Sequence, residues 1–274
     1  MNFRFLKAIS QVPAAQWNAL TGIDYPFLRH EFLSALEQSG CVAPDTGWQP
    51  HHMLLEDGSR LLAVMPLYVK QHSYGEFVFD HAWAEAYFQN GLAYYPKLVN
   101  AIPFTPCNGP RIAFGGISVA ELALLVSGAL QREARRLGAS GWHCLFPEPA
   151  QTGIWQAMDA DRRIACHFHW HNHGYAGFEA LLQDCQPRKR KEIKRERRIT
   201  AEQGIQLKRI KAGDILPEHI SRFYLFYQLT NAKYNGHGGY LSEAFFNALL
   251  QTMPEQMLLV SAYQDGERTA GALP

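Results

Sequence analysis

A pattern that occurs twice, about two hundred residues apart, constrains the fold of this chain most strongly. Asp57-Gly58 and Asp265-Gly266 each stand between apolar runs, which is a strong hairpin signal because a tight primed turn needs the positive φ that Gly supplies. The helices predicted before the two hairpins also match, with Phe-Leu-Ser-Ala-Leu at 32–36 and Phe-Phe-Asn-Ala-Leu at 245–249. A repeat of this length predicts a duplicated supersecondary unit.

Both copies predict the same order of elements, β-α-α-β-β. The elements of the first copy are a strand at 3–9, a short helix from 13, a helix at 30–39, and a hairpin that pairs 49–56 with 60–70. Those of the second are a strand at 205–210, helices at 217–234 and 242–251, and a hairpin that pairs 257–263 with 268–273. The pattern therefore indicates two units of one kind.

Only the first copy continues beyond its hairpin. The continuation comprises strands at 98–104, 142–146 and 164–172, with a long helix between the first two. A Ser118–Glu121 capping box starts that helix, and Gly138 ends it. We therefore expect an incomplete second unit, as in a truncated chain.

The predicted fold class is α/β (α+β), with two units whose mixed, mostly antiparallel sheets are flanked by helices. The predicted division places the first unit at 1–174, a helical connector at 175–204 and the truncated second unit at 205–274.

Composition excludes several classes of protein. The net charge of +1 provides no global field for DNA or a membrane. The apolar runs are too short to span a membrane, and the N-terminus lacks a signal-peptide core. Five cysteines without a CxxC pair indicate reduced, mostly buried thiols in a cytoplasmic protein.

A basic run at 187–198 is the sharpest local signal. Its eight basic and two acidic residues give a charge of +6. Pro187 suits the first turn of a helix, and Gly204 suits its C-terminal end. One interpretation is a solvated helix stabilised by ion pairs at helical spacing. The other is an anion clamp for phosphates on a nucleotide-linked, lipid-linked or tRNA substrate.

The segment 79–87 combines carboxylates with aromatic residues. Asp80 or Glu85 can take a proton from an attacking amine, while Trp83 and Tyr87 shape and dry a pocket. The alternative is a buried aromatic cluster in which Asp80 caps a turn.

A loop rich in Pro and Gly at 103–116 provides further candidates. A glycine-bearing turn before a helix presents free amides that suit a pyrophosphate, although a rigid surface loop fits equally well. Lys97 and Arg111 are candidate anion contacts beside it.

Four histidines at 167–173 alternate and would share one face of a strand. A metal site is one interpretation. We expect no metal, because no Cys or carboxylate cluster at ligand spacing accompanies them.

The predicted order of elements resembles the GNAT acyltransferase unit, and two such units joined by a basic helix resemble the Fem family of peptidoglycan aminoacyl-transferases. The segments that carry this resemblance are 178–182, 188–193, Gly204-Ile205, 230–234 and Tyr240. Residues 169–172 and 103–106, with the basic run, resemble more closely a Fem-like family of N-acyltransferases associated with peptidoglycan biosynthesis or recognition.

The resemblance implies an N-acyltransferase that passes an acyl or aminoacyl group to an amine of a phosphate-bearing, peptidoglycan-related acceptor. Acyl-coenzyme A and aminoacyl-tRNA are the alternative donors; no cofactor is assigned. The implied acceptor is a small molecule or lipid-linked, and DNA is not a partner. The expected substrate-binding residues are Trp83, Tyr87, Lys97, Phe104, Thr105, Arg111, Arg188, Arg190, Lys191, Lys194, Tyr234 and Tyr240. The rival hypothesis is a non-catalytic module that binds cell-wall precursors or other phosphorylated ligands through the basic helix.

Overall fold

Three β-sheets and the helices packed on them make up the computed structural model, which describes residues 1–166 and 168–274. The strands are β1 Asn2–Leu6, β2 Trp48–Pro50, β3 His52–Asp57, β4 Arg60–Met65, β5 Tyr68–Lys70, β6 Lys97–Asn100, β7 Ala113–Phe114, β8 Trp142–Cys144, β9 Gln206–Lys211, β10 Leu258–Gln264 and β11 Glu267–Ala272. The helices are α1 Ala14–Thr21, α2 His30–Gln38, α3 His81–Gln89, α4 Val119–Leu137, α5 Thr152–Ala157, α6 Phe178–Asp184, α7 Pro187–Glu202, α8 Pro217–Asn235 and α9 Glu243–Thr252. The predicted mixed fold with mostly antiparallel sheets is confirmed.

The first and last sheets have the same construction. β1 and β9 each pair antiparallel with the first strand of the following hairpin, β3 or β10. The register is also equivalent, since Asn2 lies opposite Glu56 and Gln206 lies opposite Tyr263. Each hairpin carries a bulge at the third residue of its second strand, because Leu62 and Thr269 are skipped in the pairing. The predicted repeat of β-α-α-β-β is therefore present in the structure.

The two Asp-Gly pairs do not occupy equivalent turn positions. Asp265 and Gly266 are both central turn residues with positive φ (52° and 83°), as a type I′ turn requires. In the first hairpin Asp57 already pairs with Arg60, so the central residues are Gly58 and Ser59, and of these only Gly58 has positive φ. The structural equivalence is thus one residue away from the match seen in the sequence.

The long first hairpin predicted from the sequence is divided between two sheets. β3 and β4 stay in the first sheet, whereas β2 and β5 pair with each other in a second sheet that continues through β6 to β8. The breaks fall at Pro50-His51 and Pro66-Leu67. Proline has no N–H to donate to a strand ladder, which explains why regular pairing stops there. The second sheet positions Lys70 and Lys97, which lie opposite each other.

Helix α4 covers one face of the first sheet. Leu122, Val126 and Leu130 recur on one side of the helix and are fully buried in a core with strands β3 and β4. Ser118 accepts a hydrogen bond from the Glu121 amide, and Gly138 ends the helix in the left-handed conformation, as predicted.

A second core joins the first unit to the last sheet. The matched helices α2 and α9 pack against each other, and the matched residues Phe32 and Phe245 meet edge to face with ring centroids 5.6 Å apart. Arg29 and Glu255 form an ion pair of 2.8 Å at the edge of this contact. The two copies therefore contact each other through matched elements.

Two expectations from the sequence are wrong. The predicted strand at 164–172 is absent from its described residues, which are exposed and irregular; His167 lies outside the described residues. Alternating histidines cannot form a strand without a neighbouring strand to pair with. Of the cysteines, only Cys41 is buried, while Cys107 and Cys166 lie in exposed loop segments, and all five are free thiols. Within the described residues, no helix is both long and apolar enough to cross a membrane.

The contact between Phe32 and Phe245 should determine the stability of both units. We expect Phe32→Ala to lower the free energy of unfolding by about 3–5 kcal/mol, because it leaves a cavity in the shared core. Urea denaturation measures the loss. The combined Phe32→Ala/Phe245→Ala variant should lose about 0.5–1.5 kcal/mol less than the sum of the single variants. Phe88→Ala, at a residue that is 77% exposed, is the control; equal losses for Phe32→Ala and Phe88→Ala would contradict the prediction.

Candidate functional site

Lys97 is the centre of a buried group of charges beneath helix α3. Its Nζ donates hydrogen bonds to Asp80 Oδ2 at 2.6 Å, Glu76 Oε2 at 2.8 Å and Ser73 Oγ at 2.9 Å. The side chains of the Lys and both carboxylates are at most 3% exposed. β6 places Lys97 here because it is an inner strand of the second sheet. We call Lys97, Glu76 and Asp80 the buried triad.

The buried triad separates the pKa values of its two carboxyl groups. Burial alone would raise the pKa of Asp80, but hydrogen bonds from Lys97 and Tyr94 outweigh that effect and hold the pKa at about 2. Burial raises the pKa of Glu76 above its usual range despite the charge of Lys97. Glu76 Oε1 has no hydrogen-bond partner within the described residues. Asp80 is therefore the firmly ionised member of the triad.

Lys70 lies next to the buried triad and is fully buried. Its ammonium lies 3.8 Å from the centre of the Trp48 ring and donates to the Tyr74 carbonyl at 3.2 Å. Burial, helped by the charge of Lys97, lowers the pKa of Lys70 to about 7. Burial similarly lowers the pKa of His143 to about 4.

Aromatic rings from both units meet at one place, which we call the aromatic seam. It consists of Trp48, Phe77, Phe104, His237 and Tyr240. Phe104 and Tyr240 stack with centroids 5.0 Å apart and planes 14° apart. Phe77 and His237 contact the Tyr240 ring at 6.2 Å and 5.1 Å, and Trp48 meets the edge of Phe104 at 5.6 Å. The structure thus brings together Phe104 and Tyr240, which were predicted to bind substrate from separate segments of the sequence.

The backbone at the seam is strained. Phe77 and Phe104 have φ of 58° and 59°, in the left-handed region that bulky residues rarely adopt. Gly75 allows the close approach of Phe104, since a Cβ at this position would lie 2.6 Å from the Phe104 ring. Trp48 Nε1, beside the same ring, is buried without a hydrogen-bond partner within the described residues. Strain and an unpaired donor are features typical of ligand sites.

Helix α3 begins at the buried triad, since Asp80 precedes its first residue. Tyr87 packs against Tyr94 at 5.1 Å, which anchors the helix. Trp83 is 46% exposed and lies under the Arg163 guanidinium. Glu85 is exposed, and it accepts a hydrogen bond from Gln89 of the same helix.

Arg111 and Thr105 are engaged within the Pro-rich loop. The Arg111 side chain is fully buried, and its guanidinium donates to the carbonyls of Leu145, Cys107 and Pro110. The expected anion contact is thus replaced by a role in holding loops together. Thr105 Oγ1 donates to the Pro103 carbonyl at 3.0 Å.

The predicted basic helix forms as α7, and its cations have different surroundings. Arg190 donates to the carbonyls at the end of α6, and Lys194 pairs with Glu179 at 3.1 Å. Arg188 and Lys191 are exposed, and neither side chain has an ion pair or hydrogen bond within the described residues. Tyr234 is 73% exposed on α8, under the Lys233 ammonium.

Sequence reasoning missed Lys70, Glu76, Phe77 and His143. A lysine within the apolar stretch at 61–70 could have indicated a buried charge, but nothing marked its partner strand. Phe77 and Glu76 lie in an irregular segment with no periodicity to interpret. In the described part of the chain, no group of three or more His, Cys, Asp or Glu side chains could hold a metal ion.

Comparison with known proteins identifies the family. The chain belongs to the FemAB-like family, described as peptidoglycan biosynthesis/recognition, whose model matches residues 8–274. Among solved structures, it resembles the crystal structure of FemX (TM-score 0.42, 12% identity), covering 97% of this chain and 58% of FemX. It also resembles a conserved protein of unknown function from Bacteroides thetaiotaomicron VPI-5482 (TM-score 0.49, 10% identity), covering 99% of this chain and 75% of that one. A search of curated proteins finds no match.

Asp80 should make the stability of the protein sensitive to acid. Its pKa in the folded state, about 2, lies below the usual 3.8, so its ionised form stabilises the fold above pH 4 and this contribution is lost as the pH falls towards 2. We expect the difference in unfolding free energy between the wild type and Asp80→Asn to shrink by about 2 kcal/mol from pH 5 to pH 2. Urea denaturation at several pH values measures it, and a difference independent of pH would contradict the assignment.

Proposed function

We propose that this protein transfers an acyl or aminoacyl group to an amine of a peptidoglycan-related acceptor that carries phosphate. The observation that carries the proposal is the match of residues 8–274 to the FemAB-like family. The matching hairpin registers support it, because the resemblance to the Fem transferases includes two units of one kind joined by a basic helix.

We place substrate binding at the aromatic seam. The seam draws on both units, so a substrate bound there would contact both. Phe104 and Tyr240 are only half-buried, and Phe77 is 45% exposed, so their rings remain accessible to a ligand. Strained phenylalanines and the unpaired Trp48 Nε1 support this location.

In the proposed reaction, the acceptor amine attacks the carbonyl carbon of a thioester or an ester. The C–N bond forms as the C–S or C–O bond breaks, and the proton leaving the amine ends on the departing thiol or alcohol through a basic side chain. Glu85 is the candidate base, because it is exposed. Asp80, with a pKa of about 2, is a weak base at neutral pH, so we assign it the role of holding Lys97 and the start of α3 in place.

An assay with each donor tests the proposal. The protein is incubated with aminoacyl-tRNA or acyl-coenzyme A, together with a UDP-linked or lipid-linked peptide precursor that has a free amine, and the products are analysed by mass spectrometry. A mass increase of one acyl group supports transfer and identifies the donor. Thermal stabilisation by the precursor without a mass increase would favour the binding module instead, and no change with any donor or acceptor would overturn both.

Truncating Tyr240 should impair transfer. We expect Tyr240→Ala to lower kcat/KM at least about tenfold, because a stacked aromatic ring at a binding site contributes about 2 kcal/mol or more. Tyr240→Phe keeps the ring and should retain most of the activity. Phe88→Ala removes an exposed ring outside the seam and should remain within about twofold of the wild type. The melting temperature of each variant controls for folding, and wild-type transfer by folded Tyr240→Ala would exclude the seam as the site.

A further inference from the structure

Helix α7 has two cationic faces with different surroundings. The inner face packs on α6. Arg190 donates to the carbonyls of Leu182 and Gln183 at 2.7 Å, and Arg197 lies 4.2 Å from the centre of the Phe178 ring. Together with the ion pair between Lys194 and α6, these contacts fix the rotation of α7 about its axis.

The outer face carries a line of free cations. Arg188, Lys191 and Arg195 are spaced i, i+3 and i+7, so they share one side of the helix over roughly 10 Å. All three are exposed, and their side chains have no ion pair or hydrogen bond within the described residues. We call them the cationic stripe. Ile199, which is 40% exposed, follows one turn after Arg195 on the same side.

The acidic residues of α7 form no ion pair with the stripe. Glu192 pairs with Lys189 at 2.9 Å, and Glu202 pairs with Arg198 at 3.4 Å. Glu196, the third acidic residue, has no ion pair within the described residues. With eight basic and three acidic residues, α7 has a net charge of +5 in a chain of +1, so the rest of the chain carries −4. The positive field is therefore local, and it would orient the protein with this helix towards an anionic surface.

We propose that the cationic stripe docks the protein on a membrane surface through the phosphate groups of anionic lipids. Three unpaired cations on a helix without buried residues can approach a plane of charge together. The exposed Ile199 suits the apolar edge of a lipid interface. RNA is less suited, because α7 has no aromatic residue on which bases could stack. This docking is independent of the proposed transfer reaction.

Binding to lipid vesicles tests the proposal. The full chain is sedimented with vesicles of neutral phosphatidylcholine, or with vesicles that also contain phosphatidylglycerol, at low and physiological salt. We expect binding to the anionic vesicles alone, weakened by salt because the attraction is screened. Equal binding to both vesicle types, or no binding to the anionic ones, would overturn the proposal.

A charge-matched pair of variants locates the surface. Arg188→Gln/Lys191→Gln/Arg195→Gln should weaken partitioning onto anionic vesicles about a hundredfold, from roughly fivefold for each cation. The control, Lys7→Gln/Arg132→Gln/Arg135→Gln, removes the same charge from exposed positions elsewhere and should bind within about threefold of the wild type. Equal losses in the two variants would refute docking through the stripe. Binding of the wild type to tRNA but not to anionic vesicles would assign the stripe to RNA instead. Circular dichroism shows whether each variant is folded.

Discussion

Packing of α2 against α9 is the contact on which the arrangement of this protein depends. Each helix lies in one copy of the repeated unit, and its apolar face would be exposed if the unit stood alone. Because Phe32 meets Phe245 and their neighbours join one core, the first unit and the last sheet are held together. The aromatic seam is a consequence of that contact, since Phe104 and Tyr240 belong to different copies.

The candidate site combines a rigid interior with an accessible edge. Lys97 and its two carboxylates lie beneath α3, where they pair with one another in a buried environment. One accessible ring of the seam is adjacent to this triad in the chain, because Phe77 directly follows Glu76. The buried charges therefore fix the segment that presents Phe77, and the seam provides the surface that a substrate can reach.

Local signals in the sequence predicted local structure well. The capping box at Ser118, the two Asp-Gly turns and the proline at the start of α7 each gave an element that the structure contains, because their physical causes lie within a few residues. The predicted strand at 164–172 is wrong because strand formation depends on a distant partner, which alternation cannot reveal. The predicted division at residues 174 and 204 stays a prediction.

The candidate site was harder to predict, since the role of a charged residue depends on what packs beside it. Arg188 and Arg190 are two positions apart in the same run. The Arg188 side chain has no partner within the described residues, whereas Arg190 donates to a carbonyl at the end of α6. Arg111 was predicted to contact an anion, but its guanidinium donates to backbone carbonyls instead. Asp80 was predicted to be a site residue, although its pairing with Lys97 could not be inferred from the spacing of the two residues in the sequence.

The Asp-Gly pair is shifted by one position between the two hairpins, whereas turn and bulge occupy equivalent positions in both, so the repeated structure persists where the sequence match has shifted. Moving a turn by one position would normally send every side chain of the adjoining strand to the opposite face of its sheet. Here the turn and the bulge keep their places, so His52 and Leu54 correspond to Leu259 and Ser261, and all four are fully buried. An alignment anchored on the Asp-Gly pairs would instead match His52 and Leu54 with Val260 and Ala262, which lie on the opposite face of their sheet. Repeats of this kind are therefore better recognised from strand pairing than from the segments whose sequences are most similar.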